Sequence, residues 1–145
     1  MADLNVVTAK VQRILAKNWR VELESDGTFL VWFESTACRI TCIQGGNEDA
    51  IVIVRVSAPI LFDVPVTNDL FRWVATDGAD QMFGNAHLFL DESETTASLF
   101  FTEMLLGDYL DEEELNWAVS SVGFTADRLD DELLPVFGGR RTADL

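Results

Sequence analysis

The sequence predicts an α+β fold: an antiparallel sheet with helices packed on one face, in the order α-β-β-β-α-β-β-α. Three features carry that expectation. The hydrophobic period changes from helical to alternating near residue 20, the alternating segments fall into two groups separated by one short helical stretch, and a long amphipathic stripe closes the chain. Strands grouped before and after helices, with no βαβ alternation, point to α+β.

The elements follow in order. Leu4, Val7, Val11, Ile14 and Leu15 recur at helical spacing, with Asp3 as N-cap or first-turn acid and Lys17 and Arg20 at the end that favours cations. Residues 21–24 form a short strand, and Asp26-Gly27 is a hairpin turn. Residues 28–33, 37–43 and 51–58 alternate as three main strands, with Gly45-Gly46-Asn47 breaking the chain between the last two. Pro59 and Pro65 bracket a stretch not expected in a central ladder, because proline has no N–H to donate. Thr67 caps a short helix carrying Leu70, Phe71 and Val74 and ending near Gly78. Two strands, about 82–90 and 97–105, flank the acidic turn at 91–94. The stripe Leu115, Ala118, Val119, Val122, Ala126, Leu129, Leu133 is the last helix, opened by acids at 111–114 and closed by Pro135 and Gly138-Gly139.

With 145 residues, 48% of them hydrophobic, the chain has the material for one core. A single domain over 1–139 with a flexible tail at 140–145 is expected. Formal net charge is −15, which disfavours phosphate backbones and anionic lipid; neither a nucleic acid nor a membrane is an expected partner. The charge is uneven: Lys10, Arg13, Lys17 and Arg20 against Asp3 make residues 1–20 net +3, leaving −18 on the rest. Residues 1–20 show no signal-peptide apolar region, and the longest apolar runs are strand-sized, far below the roughly 20 residues of a membrane span. Cys38 and Cys42 on one strand would have Cα atoms about 13 Å apart, too far for a disulfide. A reduced, cytoplasmic protein is the simplest expectation.

One face of the sheet stands out. Opposite Val52, Val54 and Val56 lie Leu30, Trp32, Ile43, Ile51 and Ile53, with Phe83 and Phe89 expected beside them. A sheet with helices on one side is normally polar on the other, so this half-apolar face needs a cover.

Several segments resemble the YbjN-like family, which shares the fold of the class I type III secretion chaperones. They are Ser57-Ala58-Pro59-Ile60-Leu61, Leu70-Phe71-Arg72-Trp73-Val74, and Phe83-Gly84-Asn85-Ala86-His87-Leu88-Phe89-Leu90-Asp91. The final helix, from Asp111-Glu112-Glu113-Glu114-Leu115 to Asp130-Asp131-Glu132-Leu133, and the closing Phe137-Gly138-Gly139 complete the pattern. The resemblance implies a homodimer that wraps an extended segment of another protein, or a regulator of the same fold; it transfers no particular client.

Catalytic candidates are few. His87 is the only histidine and reads as an ordinary strand residue, Ser120 and Ser121 lie in the last helix without an activating partner, and phosphate-loop and nucleophile-elbow motifs are missing. Cys38 and Cys42 read as core residues, and the acid clusters at 77/80, 91–94 and 111–114 belong to turns and helix starts, so neither metal nor cofactor is implied. Trp19, Trp73 and Trp117 are expected in the core, whereas Trp32 shares the half-apolar face. Arg39 and Arg55, at outward strand positions, either pair acids within the sheet or hold a peptide's carboxylates. The candidate interface is Leu30, Trp32, Arg39, Ile53, Arg55 and Phe89. The leading expectation is a non-enzymatic, chaperone-like module, a homodimer holding a segment of a client protein. The alternative is an adaptor that binds one folded partner.

Overall fold

A computed structural model describes residues 3–145. Helix α1 (Leu4–Asn18) starts where the Asp3 carboxylate accepts the N–H groups of Asn5 and Val6, and it buries Val7, Val11, Ile14 and Leu15. Four strands follow: β1 (Val21–Leu23), β2 (Phe29–Trp32), β3 (Ala37–Gly45) and β4 (Ile51–Pro65). Helix α2 (Asn68–Ala75) begins at Thr67, whose hydroxyl accepts the Leu70 N–H. Strands β5 (Asn85–Leu90) and β6 (Thr96–Leu106) precede the long helix α3 (Glu112–Phe137), capped by Asp111.

All neighbouring strands are antiparallel, in the order β1-β2-β3-β4-β6-β5. The α+β class and the antiparallel sheet are as expected, with the short β1 counted as a sixth strand. Phe29, Ile40, Val54, Val56, Leu99 and Phe101 point to one face and are buried there with the stripes of α1 and α3. Leu70 of α2 joins the same core.

Three differences from expectation have physical causes. Strand β4 runs straight through Pro59 to Pro65. This is tolerated because β3 pairing stops at Ser57; the side of Pro59 that lacks an N–H faces no ladder, and its carbonyl there accepts the Thr36 hydroxyl at 2.7 Å. Register shifts after Pro59 and after Leu61 bend this half of β4. Strand β5 starts at Asn85 rather than 82, because Phe83 (φ 62°) and Gly84 (φ 147°) turn the chain away; a side chain at 84 would also meet the Phe101 ring. Helix α3 passes Pro135 and ends at Gly138 (φ 78°), whose N–H still reaches the Leu134 carbonyl, so proline removes only one bond from the last turn.

Residues 140–145, expected as a loose tail, are tied to the body. Phe62 and Arg140 exchange backbone hydrogen bonds at 2.7 and 2.8 Å, and Arg140 pairs with Asp63. Arg141 bridges Asp131 (2.8 Å) and Asp144 (2.9 Å), and Ala143 N–H donates to the Ser35 carbonyl.

Candidate functional site: the open face of the sheet

Alternation along the strands sends a second set of side chains to the face the helices leave bare. Register places Leu30 beside Glu22 and Arg39, Arg55 between Thr41 and Met104, and Ile53 between Ile43 and Leu106. Strand β5 adds His87 and Phe89 next to Phe100 and Ser98.

The expected interface residues separate on this face. Arg39, Arg55 and Phe89 line one groove of about 960 Å³, together with His87, Phe100, Thr102 and Met104. Leu30 is 8% exposed, buried among its strand neighbours, so it supports the face without presenting a contact surface. Trp32 is 55% exposed, and its indole N–H donates to Glu22 at 3.2 Å. Ile53 is half-buried. These two stand at opposite ends: Trp32 pairs with Ala37 and Ile53 with Ile43, six residues apart on β3, or about 20 Å.

The groove has an aromatic wall and a charged floor, where Arg39 and Arg55 lie with the carboxyls of Asp26 and Glu103. Phe89 meets Phe100 edge-on at 5.4 Å and His87 at 5.0 Å, and Phe62 closes on Phe100 from beyond the bend in β4 at 6.0 Å. Arg39 donates to both oxygens of Glu24, at 3.2 and 3.3 Å. Arg55 is exposed and forms no ion pair among the described residues. Burial, and secondarily the Arg55 charge, push His87 below the usual histidine range, so its imidazole is neutral at pH 7. The Thr102 hydroxyl in this groove is buried without a partner. Among the described residues no three histidine, cysteine or acidic side chains converge as a metal site. The free thiols of Cys38 and Cys42 are pushed up by burial and point to the core.

His87, Phe100 and Met104 belong to the groove although sequence reasoning left them out. The alternation of Phe100, Thr102 and Met104 against Leu99 and Phe101 was the available signal.

A separate apolar hollow of about 620 Å³ lies on the helix side, where β6 extends past β5 toward the start of α3. Trp117, expected in the core, is 60% exposed here, because it faces away from the Leu115–Ala118 stripe. Phe83, expected on the sheet face, stacks on it at 6.4 Å, directed there by its positive φ. Among the described residues no helix is long and apolar enough to cross a membrane.

The comparisons agree with this architecture. YbjN from E. coli superposes with a TM-score of 0.63 at 12% identity, covering 88% of this chain and 91% of that one. The chaperone SycH of Yersinia pestis type III secretion, in complex with a stable fragment of YscM2, gives 0.55 at 12% identity, covering 85% and 98%. The ExsC–ExsE complex gives 0.57 at 14% identity, covering 90% and 96%. At these identities the likeness shows the fold. No curated protein matches by sequence. The model for the TY-Chap1 family, described as "T3SS (YopN, CesT) and YbjN peptide-binding chaperone 1", matches residues 4–145, and the chain belongs to that family.

Proposed function

We propose that this protein is a non-enzymatic peptide-binding module, a cytoplasmic homodimer that holds an extended segment of a client protein against the open face of its sheet. One observation carries the reading: that face leaves Trp32, Phe89, Met104 and Leu106 each at least 45% exposed, with Phe89 and Met104 lining a preformed groove. Backbone pairing is available alongside. Strand β5 is an edge, one of its outward N–H groups (Ala86) is taken by the Gly78 carbonyl, and alternation leaves those of Leu88 and Leu90 free for an added strand. Strand β6 is uncovered beyond Thr102 on the same side. The solved complexes of SycH and of ExsC, each with another polypeptide, support this use of the fold.

The test is affinity co-purification of the tagged protein from its native host, with mass spectrometry of what stays bound. Trp32→Ser and Phe89→Ser should each lose the retained partner while leaving the far-UV spectrum unchanged. Full retention by both variants would remove this face from the binding reaction.

A second reading, an adaptor for one folded partner, rests on the separate hollow at Phe83 and Trp117. A panel of unfolded peptides separates the two, because a chaperone binds several weakly and an adaptor binds none.

A further inference from the structure

Arg55 is out of place by charge. The chain holds 25 acidic and 10 basic residues, and an arginine on such a surface normally finds a carboxylate. The same-face neighbours of Arg55 are Thr41 and Met104 directly across, with Arg39, Ile43, Thr102 and Leu106 on the diagonals. None is acidic. The acids around it are engaged by other groups: Glu24 pairs with Arg39, and Asp26, which lines the groove, accepts the Thr28 N–H and is held low by it. Glu103, at the register position opposite Val56, also lines the groove, but burial pushes its carboxyl up and it forms no ion pair with Arg55. Arg55 instead raises a local positive potential, felt by His87 and bounded by Phe89 and Phe100.

Within the peptide-binding reading given above, on which this step rests, we propose that the groove at Arg55 selects client segments by a carboxylate. An aspartate or glutamate of the extended segment pairs with the Arg55 guanidinium, and the apolar residue two positions along packs against Phe89 and Phe100. The spacing suits an extended chain, whose alternate side chains share one face. The net charge of −15 does not oppose this at contact, because charges beyond about 8 Å are largely screened at physiological salt, whereas a bidentate arginine–carboxylate pair acts within hydrogen-bond distance. An acidic protein that prefers acidic segments is the opposite of what its overall charge suggests.

The probes are three short synthetic peptides, identical except that valine and phenylalanine alternate with glutamate, glutamine or lysine, titrated by fluorescence anisotropy. Wild type should bind the glutamate peptide roughly tenfold more tightly than the glutamine peptide. Arg55→Gln should bring the ratio of glutamate-peptide to glutamine-peptide affinity to about one, and Arg55→Lys should keep part of the preference. Equal or tighter binding of the glutamine or lysine peptide by wild type, or a preference that survives Arg55→Gln, overturns the inference. In those cases weakening of all three peptides by Phe89→Ser still supports the open face as the binding surface. If no peptide binds, or Phe89→Ser changes nothing, the open-face reading itself fails and the carboxylate preference falls with it.

Discussion

Gly123 sits in the middle of α3 where a Cβ would overlap the Phe33 ring, which is itself wedged between Trp19 (5.8 Å) and Phe124 (5.1 Å). Two effects compete in Gly123→Ala. Helix propensity favours alanine by about 1 kcal/mol, and displacing a packed ring costs roughly 1–3 kcal/mol. The variant should therefore melt below wild type, yet in a Phe33→Ala background the same change should raise the melting temperature; a double-mutant cycle reads both. Chemistry of another kind surrounds Ser35. Its N–H donates to Asp127 at 2.7 Å, and its hydroxyl lies against both Asp127 and the buried Asp130. A hydroxyl has one proton, so it satisfies both carboxylates only when one is protonated. Burial chiefly, with Asp131 and Asp127 adding repulsion, pushes Asp130 up to about 6. A carboxyl whose folded value exceeds its unfolded one binds more protons when folded, so stability falls as pH rises through the interval from the ordinary aspartate value to about 6. Glu103, raised by burial, acts in the same sense. The melting temperature should be higher at pH 5 than at pH 8 by several degrees, and Asp130→Asn should flatten that slope. An unchanged slope would remove Asp130 as its source.

At the scale of elements, β4 is two strands in one. Residues up to Ser57 have β3 on one side and β6 on the other, whereas beyond Pro59 the β3 side is served by Thr36 and by Arg140 near the end of the chain. Ending the chain after Gly139 should lower the melting temperature by a few degrees, since it removes the Phe62–Arg140 backbone pair and the Arg141 bridge while the exposed ion pairs themselves contribute little. An unchanged melting temperature would show that these last residues are dispensable. Helices α1 and α3, the hairpin at Asp26-Gly27 and the alternation of β2, β3 and β4 were all legible in the sequence, because each follows from a local period or cap. Pro59 misled because its tolerance depends on where β3 stops, which no local pattern reports. Phe83 and Trp117 misled likewise: one is aimed by a positive φ, the other faces away from the buried stripe of its helix. Of the expected site, Arg39, Arg55 and Phe89 do converge. Leu30 was read as exposed because alternation gives a side chain's face but not the reach of its neighbours.

For the whole molecule, two concave places present exposed aromatic side chains: the groove of the open sheet and the hollow at Phe83 and Trp117. Light scattering should return twice the chain mass of 16.2 kDa if the proposed homodimer forms, and a mass of one chain would overturn that assignment. Trp117→Ser separates the two faces: it should leave peptide binding at the groove intact, and it lowers the mass to one chain only if the hollow is the contact between copies.

The dependence of the core on α3 has a further outcome during synthesis. Val54, Val56, Leu99 and Phe101 have their full helical cover only once residues 112–137 have left the ribosome to join α1, and the bent half of β4 waits longer still, for Arg140. Most of the sheet is thus made while α1 alone can cover it, and such long-range closure is slow. The nascent chain spends that interval with both faces of its sheet at least partly bare.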